Sequence, residues 1–127
     1  ELTPSAAKLA EDTIHYCLKQ DHDPRPALTA AAAASNILHL MFNDRYNPNP
    51  KFTTAQMRQC LGLLDHCLAR YDSIARQWDE SKQWELISPM RIQECKERLY
   101  FINKVREAAE KTIIRLEQES KSQQASN

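Results

Sequence analysis

Four cysteines, four histidines and equal numbers of acidic and basic side chains are the groups in this chain that could do chemistry. Metal ligation in a helical protein needs inward-pointing carboxylate and His pairs three residues apart, repeated on facing helices. The nearest match is Asp12-x-x-His15, which occurs once. Asp65, His66 and Cys67 are consecutive, so on a helix they point in different directions. His39 lies between apolar neighbours and reads as a partly buried histidine bonded to a neighbour. No second ligand pair is found, so neither a metal nor any other cofactor is expected.

Nucleophilic catalysis would fall to Cys17, Cys60, Cys67 or Cys95. A thiol is activated beside a base or at a helix N-terminus. All four fall inside helical patterns, with no C-x-x-C motif, and read as reduced, mostly buried apolar residues. Only one glycine occurs, Gly62. That all but excludes a P-loop or a dinucleotide-binding glycine turn, and Gly62 itself is expected to mark a close helix contact. The chain therefore reads as a protein without catalysis of its own.

The elements that must position these groups are all helical. Thr3 and Pro4 open a helix over about 4–20, and a second follows at about 26–43 around five consecutive alanines. Thr53 and Gln56 form a capping box at the start of a third, with Phe52 and Met57 placed as a hydrophobic staple. Met57, Leu61, Leu64, Leu68, Tyr71, Ala75 and Trp78 recur in steps of four and three and carry it to about Ser81. Ser88 and Pro89 open the fourth, whose stripe runs Ile92, Cys95, Leu99, Ile102, Ala109, Ile113 and Leu116. Arg106 is the one polar residue in that stripe and is assigned the role of fixing register in the seam.

The third and fourth helices, each of about 30 residues and about 45 Å, form a long antiparallel hairpin because their connector is short. The two N-terminal helices, each about 25 Å, pack on its open end. The fold class is all-α, a single bundle domain over 1–120 with a disordered polar tail over 121–127. The closed end of the hairpin is then left short of cover. It holds Trp78, Trp84, Leu86, Ile87 and Met90, and an uncovered apolar patch of that kind marks a protein partner.

The expected function is a non-catalytic helical interaction module: an adaptor, assembly factor, inhibitor or regulatory subunit. It is expected to self-associate through the hairpin tip as a homodimer. A small nucleic-acid-binding regulator and a metal- or ligand-binding bundle are the alternatives. Lys and Arg total 17 against 17 for Asp and Glu, and no third of the chain is strongly basic. This argues against a nucleic-acid footprint. No run of about 20 apolar residues suits a membrane span and no signal peptide is visible, so a cytoplasmic location is expected.

Overall fold

The computed structural model describes residues 3–125. Four α-helices, α1 (Pro4–Leu18), α2 (Arg25–Asp44), α3 (Thr54–Glu80) and α4 (Pro89–Ala125), account for most of them, with a 3-10 turn at Gln83–Leu86 between α3 and α4. No strand occurs among the described residues.

Local chemistry sets where the helices begin. Thr53 accepts the backbone N–H of Gln56 while the Gln56 side chain accepts the N–H of Thr53, so two otherwise orphaned donors are satisfied at once. Thr3 accepts from the N–H of Ala6 and Ser88 from that of Arg91. The start of α2 is less obvious. Its N-cap, Pro24, offers no side-chain acceptor, and the Asp23 carboxylate takes the N–H of Arg25 instead. The polar stretch after Ser120 stays helical as far as Ala125, while Ser126 and Asn127 lie outside the described residues.

α2 and α3 are antiparallel and joined by a loop held by Asp44. α4 runs back along α3, and ion pairs from Arg58 to Glu117 and from Asp65 to Arg106 span the two helices. α2 packs most closely on α3 and α1 and also meets α4. Its alanines make these approaches possible: Ala27, Ala30, Ala31 and Ala34 are all buried, and each presents only a methyl group to its neighbours. Leu28, Leu38, Leu64 and Ile113 fill the centre, each fully buried and each worth roughly 1.5–3 kcal/mol against exposure. α1 adds Ile14 to this core, and its Ala7, Glu11 and His15 edge a cleft of about 460 Å³.

Two expectations are corrected. Gly62 does not mark a close contact: it is exposed, and a Cβ there would meet nothing within 4 Å. His39 is likewise exposed, edging an open cleft with Phe42 and Tyr46.

Candidate interaction surface at the hairpin tip

The tip is built where α3 ends, the chain turns, and α4 begins. Lys82 takes the left-handed conformation (φ 59°) that stops α3, and the 3-10 turn then carries Trp84 back over it. Trp84 donates its indole N–H to the carbonyl of Ala75 at 3.1 Å and meets Trp78 edge-on, centroids 4.9 Å apart. Trp78 in turn donates to the carbonyl of His22 at 2.9 Å. The guanidinium of Arg25 lies over its ring at 5.6 Å. Trp78 thus binds the loop before α2 to the end of α3, and Trp84 binds the turn after α3 back onto that helix.

The five residues assigned to the tip therefore divide. Trp78, expected to be uncovered, is buried, at 9% exposure. The reason is the reach of α2, which has 20 residues, about 30 Å, and starts at Arg25 directly against Trp78 rather than stopping short of it. Trp84 and Ile87 are half-buried. Leu86 and Met90 stand out in water, at 77% and 71% exposure. Farther along α4, Tyr100 and Phe101 are also exposed and touch edge-on at 5.7 Å.

Arg25 and Asp23 are the tip residues the sequence reading overlooked. The Asp23 carboxylate grips the Arg25 guanidinium through bonds of 2.6 to 3.0 Å. Burial works to raise the Asp23 carboxyl, but the hydrogen bonds and charge of Arg25 outweigh it and hold it below the usual range. The available signal was Asp-Pro-Arg-Pro, an acid one step ahead of a proline-flanked helix start. Asp44 was also overlooked. Its carboxylate accepts the backbone N–H groups of Lys51 at 2.6 Å and Phe52 at 3.2 Å and the Asn47 amide at 2.8 Å.

Arg106 reaches Asp65 on α3 through two nitrogens, at 2.5 and 3.2 Å, and Glu110 on its own helix at 3.0 Å. Arg106 thus has an acidic partner on the facing helix, in the seam where the sequence places it. All four cysteines are free; Cys60, Cys67 and Cys95 are buried and Cys17 is half-buried. Burial pushes the Cys60 and Cys67 thiols up to about 11. It also raises Cys95, against the opposing pull of Arg25 and Arg98. Such thiols are protonated near neutral pH and are poor nucleophiles and ligands. Among the described residues no three His, Cys, Asp or Glu side chains come together as a metal site would require. His15 faces Glu11 at 3.6 Å on an exposed surface. No described helix is long and apolar enough to cross a membrane.

Compared with family models, curated proteins and solved structures, the chain gives no match.

Proposed function

We propose that the chain is a non-catalytic helical interaction module, an adaptor, assembly factor or regulatory subunit, that associates through the tip of the α3–α4 hairpin. The observation that carries this reading is the exposure of Leu86 and Met90, four residues apart at a tip whose two tryptophans are otherwise tied down. A rigid, sealed base under two projecting aliphatic side chains limits the entropy lost when a partner covers them. Burying either is worth roughly 1.5–3 kcal/mol. The equal balance of 17 cations and 17 anions favours a protein partner over nucleic acid. The raised thiols and scattered histidines offer no support to the metal- or ligand-binding alternative.

The test is association of the Leu86→Glu, Met90→Glu double variant, followed by light scattering and circular dichroism. Loss of self-association, or of binding to a co-purifying partner, with helicity unchanged is the expected result. Association equal to that of wild type would rule the tip out.

A further inference from the structure

The outer face of α4 carries a second, separate pattern. Starting at Met90, exposed residues recur in steps of four and three: Met90, Glu94, Glu97 and Phe101, then Lys104, Ala108, Lys111 and Arg115. This is a heptad spacing, and it lies roughly 120° around the helix from the buried stripe of Cys95, Ile102, Ala109 and Ile113. Tyr100 and Ile114, both exposed, border the same face. Of the exposed large apolar side chains of α4, Met90 and Phe101 thus lie on this face and Tyr100 and Ile114 beside it.

The charges on this face are sorted. Its first half carries Glu94 and Glu97 and its second half Lys104, Lys111 and Arg115, the last followed one turn on by Glu119, with which it pairs. Phe101 stands near the junction. A parallel pairing of two such faces would set Glu against Glu and Lys against Lys. An antiparallel pairing about a two-fold axis between Phe101 and Lys104 sets each acidic half on the other copy's basic half, with Glu94 opposite Lys111. Phe101 then lies opposite Lys104, a pairing that suits a cation over an aromatic face.

We infer that a second copy of this chain docks on the outer face of α4, antiparallel, with register fixed by this polarity. The inference goes beyond the proposed function, since this pairing sets Met90 opposite Arg115 and leaves Leu86 outside the paired residues; it concerns a surface of its own and names both its partner and the arrangement. A two-fold contact between identical patches closes on itself and gives a dimer rather than a filament. The ion pairs these residues make within α4, Lys104 with Glu107 at 4.0 Å and Arg115 with Glu119 at 3.8 Å, are exposed and weak. They offer little resistance to exchange for partners on the second copy.

Charge reversal tests the inference with substitutions confined to the surface. One variant carries Glu94→Lys and Glu97→Lys, and another carries Lys111→Glu and Arg115→Glu. The first makes the face wholly basic and the second leaves Lys104 as the one cation among these eight residues, so each is expected to raise its own dimer dissociation constant by about tenfold or more, since like charges are brought together. Mixed in equal amounts, the two are expected to form a heterodimer close to wild-type affinity in analytical ultracentrifugation. Dimers of both variants as tight as wild type would overturn the α4 arrangement while leaving the tip reading standing. A wild-type chain that stays monomeric at millimolar concentration would overturn the second copy as partner.

Discussion

A Cβ added to Gly62 would meet no atom within 4 Å, and the position is exposed in the third turn of a long helix. Glycine there contributes only backbone freedom to the unfolded chain. Gly62→Ala is expected to raise unfolding free energy by about 1 kcal/mol in urea denaturation. Lys82 presents the opposite case, since it holds a left-handed conformation without being glycine. Lys82→Gly is expected to add about 0.5–1 kcal/mol by the same measurement. A loss in either variant would show that the side chain or backbone at that site makes an interaction beyond those described.

Asp44 gives the residue scale its pH dependence. Burial favours its neutral form, but the donors from Lys51, Asn47 and Phe52 outweigh burial and hold the carboxyl below its ordinary value. A carboxyl lowered on folding stabilises fully above its unfolded pKa of about 3.9, and that contribution is lost as pH falls through the folded value. Asp44→Asn is therefore expected to be less stable than wild type at about pH 6, with the gap narrowing toward about pH 2. An equal gap at both would mean that the charge of Asp44 is not what holds the loop.

At the scale of elements, what could be read from the sequence was what is encoded locally. The Thr53–Gln56 box and Ser88-Pro89 start their helices where expected because a cap and its donor lie within one turn. The three-and-four spacing of Leu61, Leu64 and Leu68 likewise requires no knowledge of partners. The length of α2 was missed by one residue at each end, and the miss mattered. Asp23 starts α2 early by accepting from Arg25 across a proline, and that places Arg25 on Trp78. The bond from Trp78 to His22 joins residues 56 apart, and such a partner leaves no trace in local patterning. Which of the tip residues are sealed and which project was therefore out of reach.

Arg106 belongs to this scale because it joins two elements. With its side chain 29% exposed and held on two sides by Asp65 and Glu110, it can keep its stem packed while its head meets solvent. Arg106→Ala and Asp65→Ala are each expected to cost about 1 kcal/mol. Their double variant should cost less than the two added together, because they share one contact. If Arg106 also fixes the register of the seam, Arg106→Leu will hold or raise stability while broadening the backbone amide spectrum. A strongly destabilised variant with a single sharp set of resonances would remove that role.

The molecule as a whole carries a clock in its thiols. Its four thiols sit at different depths: Cys17 half-buried on α1, Cys60 and Cys67 buried on α3, and Cys95 buried on α4. With the α3 thiols at about 11, only about one in a thousand is a thiolate at pH 8. Alkylation of the native chain must then await openings that let water in. Mass spectrometry of iodoacetamide-treated protein is expected to find Cys17 modified first and Cys60 and Cys67 much later. The interval between them measures how readily α1 lifts away from α2 and α3. If all four are modified at one rate, α1 parts from the bundle only when the bundle unfolds.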